Sequence, residues 1–139
     1  MAFHAYLFFG RNCAEAFTRY HEIFGGELVI MRMGDAPGAE DVPPEQADLT
    51  IHAALTFDDG NLLMGSDDPT TESFGPVQGM MVSYSASDPE DAERAFGALA
   101  DGGTVSQPLI ETFFSPAFGM CTDRFGTPWM VSAEQVEAG

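Results

Sequence analysis

One hydrophobic pattern occurs twice along this chain. Ala16, Phe17, Tyr20, Ile23 and Phe24 fall at i, i+1, i+4, i+7 and i+8, the stripe of an amphipathic helix. Asn12 stands in front of it as a helix cap, and Gly25-Gly26 ends it. Ala92, Phe96 and Leu99 repeat the stripe behind Asp88 and ahead of Gly102-Gly103. Laying Asn12 on Asp88 (88 − 12 = 76) puts Ala16 on Ala92, Tyr20 on Phe96 and Ile23 on Leu99, with one residue inserted before the second glycine pair. Each copy is a supersecondary unit that needs a partner to close a core.

Strand patterns flank both helices. Phe3 to Phe9 is apolar and aromatic on both alternating faces, which predicts a strand covered on both sides. Glu27 to Met33 reads as the next strand, Leu49 to Phe57 as a third, and Asn61 to Ser66 as its antiparallel mate across an Asp59-Gly60 turn. Gly34 to Asp48, rich in Pro, Gly, Asp and Glu, reads as a loop that is either a lid or disordered. The second half runs strand Met80 to Ser85, helix Pro89 to Ala100, strand Thr104 to Glu111, a turn near Ser115-Pro116, strand Ala117 to Thr122, turn Asp123 to Gly126 and strand Thr127 to Ala133. The expectation is one α+β domain over 1–139: paired βαβββ modules, 1–66 and 80–139, joined by a linker at 67–79. They form a curved mixed sheet around a cleft, with the helices outside.

Composition supports a packed core, since 45% of the 139 residues are hydrophobic and twelve are Phe. The net charge of −17, from 22 acidic residues against five arginines, repels phosphate backbones and anionic headgroups. Neither nucleic acid nor a membrane is therefore an expected partner. Solubility, a high-salt habitat or attraction of cationic ligands would each account for the charge. Apolar runs such as Leu7-Phe8-Phe9 fall far short of the ~20 residues a bilayer span needs. No basic segment precedes an apolar one in the manner of a signal peptide. With Cys13 and Cys121 unpaired by spacing, the expected setting is a reducing cytoplasm.

Several motifs fall in a familiar order: Tyr6-Leu7-Phe8-Phe9 with Asn12-Cys13-Ala14-Glu15-Ala16, Phe24-Gly25-Gly26-Glu27, Glu111-Thr112-Phe113-Phe114 with Phe118-Gly119-Met120, and Thr122-Asp123-Arg124-Phe125-Gly126-Thr127-Pro128-Trp129-Met130. Across essentially its whole length the chain resembles the vicinal oxygen chelate superfamily, the glyoxalase/bleomycin resistance/dioxygenase fold. More narrowly it is similar to the PhnB-like branch, which often carries a demethylubiquinone methyltransferase label. Methyl transfer itself is not expected, because no GxGxxG or comparable Gly-rich cofactor turn follows a strand.

Metal-dependent members of the superfamily draw ligands from the first strand, the fourth, the strand opening the second module and the last. By that resemblance the places fall near Ala5, Met64, Met81 and Met130. None offers imidazole or carboxylate, and a thioether suits mainly Cu(I). No metal and no cofactor are expected. Three methionines instead imply a flexible apolar lining for a small hydrophobic molecule. A one-residue slip in the first strand would bring His4 inward, with two further ligands still lacking.

The expected ligand-binding set is Ala5, Leu7, His52, Met64, Met81, Phe113 and Met130. His52 is either an acid/base or ligand-orienting group or a hydrogen-bonded structural histidine. Asp67 and Asp68 follow the fourth strand, where one of them reaches His52 or the cleft mouth, or both are acidic turn residues in solvent. Phe113, Phe114 and Phe118 form a stacking platform or core. His21 belongs on the surface, Cys121 is a buried thiol, Arg124 either binds a carboxylate ligand or pairs with a nearby acid, and Trp129 faces the helix layer because it alternates with Met130. Two functions follow: a metal-independent small-molecule binding protein, or a glyoxalase-, dioxygenase- or isomerase-type enzyme with His52 as acid/base, with or without a metal at a displaced site. The resemblance also implies a homodimer.

Overall fold

The structure is a computed structural model that describes residues 2–58, 60–70, 75 and 77–134. The chain divides into two compact units, Met1–Phe74 and Gly75–Gly139. Residues 71–74 and 76 of the expected linker, and Asp59 of the expected turn, lie outside the described residues.

The first unit comprises β1 (Ala5–Phe9), α1 (Cys13–Phe24), β2 (Glu27–Arg32), β3 (Thr50–Thr56) and β4 (Leu62–Asp67). Its strands lie in the order β1-β4-β3-β2, parallel between β1 and β4 and antiparallel elsewhere. The stripe read from the sequence is the buried face: Cys13, Ala16, Phe17, Tyr20 and Ile23 are all enclosed. They meet a sheet face that carries Leu7, Phe9, Ala53, Leu55 and Leu63. Phe17 packs edge-on against Phe9 and Tyr20. Gly65 makes room for it, since a β-carbon there would sit 2.7 Å from Phe17 Cε2.

The second unit repeats the order with β5 (Val82–Ala86), α2 (Pro89–Ala100), β6 (Thr104–Ile110), β7 (Phe118–Thr122) and β8 (Pro128–Ala133), arranged β5-β8-β7-β6. Ala92, Ala95, Phe96 and Leu99 are the buried residues of α2. Gly119 stands to Phe96 as Gly65 stands to Phe17, its added β-carbon falling 2.9 Å from the ring. The last hairpins match as well: Phe57 donates to Asn61 and Asp123 to Thr127, each at 2.9 Å through the backbone.

Three expectations change. Both helices have 12 residues and superpose at the offset of 76, but β1 begins at Ala5 and β5 at Val82, an offset of 77 (82 − 5). Ala5 therefore corresponds to Val82 and not to Met81, because the second strand-to-helix connection is one residue shorter. Asn12 makes no side-chain cap bond; the carboxylate of Asp67 accepts from Cys13 N instead. In α2, by contrast, Asp88 caps its own helix by accepting from Asp91 N at 2.8 Å. Finally, Gly34 to Asp48 is no structureless loop. It winds through 3-10 turns at Met33–Asp35, Ala39–Asp41 and Pro44–Gln46. Backbone bonds from Met33 N to Leu49 O and from Gly34 N to Ala47 O close its base, with Arg32 bridging Asp35 and Asp48. Among the described residues no helix is long and apolar enough to cross a membrane.

Candidate functional site

Strand register decides which side chains share the face of the first sheet away from α1. Tyr6 pairs with Met64, Met64 with Ala54 and Ala54 with Val29, while Met31 pairs with His52. These residues and Phe8 occupy the helix-free face. Phe8 is 62% exposed, Met31 45% and Tyr6 38%. Of the expected lining, His52 and Met64 are on this face.

Ala5 and Leu7 are not, which corrects their placement. Ala5 is in register with Leu63 and Leu7 with Gly65, on the side that packs against α1. Tyr6 and Phe8 take their place. The strand is large and apolar at every position from Tyr6 to Phe9, so its sequence gives no alternation from which to choose a face. His4, with the same parity as Tyr6, precedes β1 and is exposed.

A polar pair sits among these apolar residues. Tyr6 Oη lies 3.3 Å from His52 Nδ1, and the rings are 5.8 Å apart. Phe8 adds a third ring, 5.2 Å from Tyr6. The missed signal was the phenol itself: a tyrosine in an apolar strand needs a partner for its hydroxyl.

Asp67 is on the other side of the sheet, and the reading of it as a solvent turn residue or a partner for His52 is corrected. It is 5% exposed, and its two carboxylate oxygens accept from Cys13 N and Thr50 N at 2.9 Å each. Asp68 takes the turn role, accepting from both the backbone N and the hydroxyl of Thr70, which hold its carboxyl below the usual range. Burial, with the charge of Asp67, pushes the Cys13 thiol up to about 12. Cys121 rises to about 11 through burial and Asp123. Neither thiol is poised as a nucleophile at neutral pH. His21 is exposed, its Nδ1 near Gly25 O at the end of α1.

In the second unit the face away from α2 carries Ser83, Ser85, Phe118, Met120, Met130 and Ser132, through the registers Ser83–Met130, Met120–Met130, Ser85–Ser132 and Phe118–Ser132. Met130 is therefore on the expected side. Met81 lies just before β5 and is 36% exposed. Trp129 is buried on the α2 side, its indole donating to Asp123 Oδ2 at 2.8 Å. Phe113, Phe114 and Phe118 form an edge-to-face ladder with both spacings 5.1 Å, and Phe113 is 91% exposed. Arg124 lies over the Phe125 ring. Ser115, missed in the sequence, is 1% exposed, and its hydroxyl ties Ala117 to Ala133 through their backbone groups.

The residues present do not fit the metal that the resemblance implies. On the helix-free face of the first unit β1 carries Tyr6 and β4 Met64, and on that of the second unit β5 carries Ser83 and β8 Met130; none is an imidazole or a carboxylate. Among the described residues no three His, Cys, Asp or Glu side chains form a group that could hold a metal ion.

The pattern of a family described as 3-demethylubiquinone-9 3-methyltransferase matches residues 1–132. Protein PA1353 from Pseudomonas aeruginosa is 39% identical, with a TM-score of 0.84, over 97% of this chain and 100% of that one. A putative 3-demethylubiquinone-9 3-methyltransferase, PhnB protein, from Bacillus cereus is 26% identical with a TM-score of 0.76, covering 96% and 99%. Protein YjdN of Escherichia coli (strain K12) is 29% identical over 91% of each chain. Glyoxalase/bleomycin resistance/dioxygenase structures at 13% and 15% identity share the fold, with TM-scores of 0.64 and 0.63.

Proposed function

The chain belongs to the 3-demethylubiquinone-9 3-methyltransferase family, and we propose that within it this protein binds a small hydrophobic molecule without the help of a metal. One observation carries the reading: the helix-free face of the first sheet gathers Tyr6, Phe8, Met31 and Met64 around His52. Unbranched thioethers and aromatic rings adapt to varied apolar shapes. A polar pair within such a face orients a ligand. Met81, Met130 and Phe113 give the second unit a similar character, and the Phe113–Phe114–Phe118 ladder offers ring edges and faces to a planar group. The methyl transfer in the family's description needs a cofactor site for which the chain has no Gly-rich turn.

The contact between Tyr6 and His52 favours one alternative, an enzyme of glyoxalase or dioxygenase type in which His52 moves a proton. The two readings separate on one variant: His52→Ala abolishes turnover of any substrate found if catalysis is the function, and only weakens binding otherwise. A thermal-shift screen of apolar metabolites, run beside elemental analysis of the purified protein, tests the main reading. Stoichiometric, tightly held metal would sink it. The protein acts as a homodimer in this proposal, consistent with apolar side chains such as Val29, Met31 and Ile51 exposed on the first unit. Light scattering that gives the mass of one chain at working concentration rejects that assembly. No partner nucleic acid or membrane enters, and the site of action is the cytoplasm.

A further inference from the structure

We infer that Tyr6 fixes the tautomer of His52, so that this face presents an imidazole N–H and selects planar apolar ligands that bear a carbonyl acceptor. The inference rests on the binding reading above and adds to it the class of ligand.

A neutral imidazole has one nitrogen that donates and one that accepts, and the partner of either nitrogen decides which is which. Here the partner of Nδ1 is a phenol, 3.3 Å away. Two arrangements exist. Phenolic O–H is an acidic donor and imidazole nitrogen a basic acceptor, whereas phenolic oxygen accepts weakly. Tyr6 therefore donates to Nδ1, and the ring proton resides on Nε2. The second nitrogen is thereby a donor, ready for a carbonyl and mismatched to a group that can only donate.

Strand order gives the pair its setting. Tyr6 on β1 and His52 on β3 flank β4, and Tyr6 is in register with Met64. The phenol thus spans β4 to reach the imidazole. The Phe8 ring is 5.2 Å from that of Tyr6, and Met31 sits opposite His52 on β2. A donor placed in so apolar a surface discriminates because a ligand without an acceptor leaves it unpaired on binding. Tyr6 acts here as a positioning residue, working through His52.

The test has two independent readouts. Long-range 1H–15N spectra of the neutral imidazoles report the tautomer of His52, with His4 and His21 as internal controls. The expected result is Nε2–H for His52 in the native protein and a shift towards mixed tautomers in Tyr6→Phe, with His4 and His21 unchanged. Nδ1–H in the native protein, or no change in Tyr6→Phe, overturns the inference. The second readout titrates 1-indanone and indane against the methyl signals of Met31 and Met64. Indanone should bind several-fold to about tenfold more tightly, the worth of one hydrogen bond, and Tyr6→Phe should bring the ratio of the two affinities towards one. Equal affinities overturn the ligand class. If neither probe moves the methionine signals, the binding reading and the ligand class fall together, while the tautomer assignment is still decided by the first readout.

Discussion

Asp67 accepts the backbone N–H of Cys13 at 2.9 Å, so the strand that closes the first module caps the helix that opens it. Its second oxygen holds Thr50 N at the same distance, which ties the start of β3 into the same knot. The two modules solve one problem differently. In the second, Asp88 caps α2 from the adjoining residue, a local device legible in the sequence.

Replacing Asp67 by Ala strands two buried N–H donors, each costing about 1–3 kcal/mol when unmet. The expected loss is about 2–4 kcal/mol, against about 1 kcal/mol for Asp88→Ala. Asp67→Asn keeps one acceptor oxygen and should fall between. Urea unfolding of the three variants makes the comparison; an Asp67→Ala protein as stable as Asp88→Ala would show that the cap is supplied elsewhere.

The thiols should be silent in the native protein. With Cys13 pushed up to about 12 and Cys121 to about 11, almost no thiolate exists near neutrality, and both side chains are fully buried. Ellman's reagent should label neither before unfolding and both after it. The same shifts set an alkaline limit. A folded-state pKa raised above the unfolded value contributes stability that is complete below the unfolded pKa and is lost as pH rises through the folded one. For Cys13 that window runs from the ordinary thiol value of 9.0 to about 12. Unfolding free energy should decline across it more steeply in the native sequence than in Cys13→Ala. Parallel declines would reject the linkage.

What could be read in advance followed the range of each interaction. Helix stripes, Asp88 and the glycine pairs are local signals, and each marks the element it was read for. The face of β1 was not legible, because Tyr6, Leu7, Phe8 and Phe9 are all apolar enough for either side. The role of Asp67 was not legible either: its partners lie 54 and 17 residues away, and an acidic residue after a strand looks like a turn. The connection after β5, one residue shorter than that after β1, shifted the comparison of the two halves at their strands while leaving the helices matched.

At the other end of the pH range, Asp91 should reveal itself. The hydroxyl of Tyr84 and the guanidinium of Arg94 both donate to its carboxylate, which holds it below the usual range. A depressed carboxylate contributes stability that is present above the unfolded pKa and is lost as pH falls through the folded value. Asp91→Asn should cost about 1 kcal/mol near neutral pH, a partly exposed ion pair plus a hydrogen bond. The gap between the two proteins should close on acidification below the ordinary carboxylate range. A gap that persists in acid would assign the cost to the shape of the side chain rather than its charge.

Glycine positions make the sharpest contrast. Gly26 and Gly103 are the second glycines of the repeated pairs, and each immediately precedes the strand after its helix. A β-carbon at Gly103 would sit 2.1 Å from Thr122 O, and one at Gly26 would sit 2.8 Å from Thr56 O. Thr56 and Thr122 end β3 and β7, so both modules bring a strand's last carbonyl onto the glycine. Backbone cannot yield as a flexible side chain does, and Gly103→Ala should cost about 2 kcal/mol or more, in the range of overpacked sites. Gly97 is the control. It lies inside α2 and is exposed, with nothing within 4 Å of an added β-carbon. There Ala removes the entropy penalty of a helical glycine and should stabilise by about 0.5–1 kcal/mol. Thermal melts of the two variants should therefore move in opposite directions. A Gly103→Ala protein that melts with the native one would mean that β6 can leave the Thr122 carbonyl without loss, and the glycine pair would mark only the end of the helix.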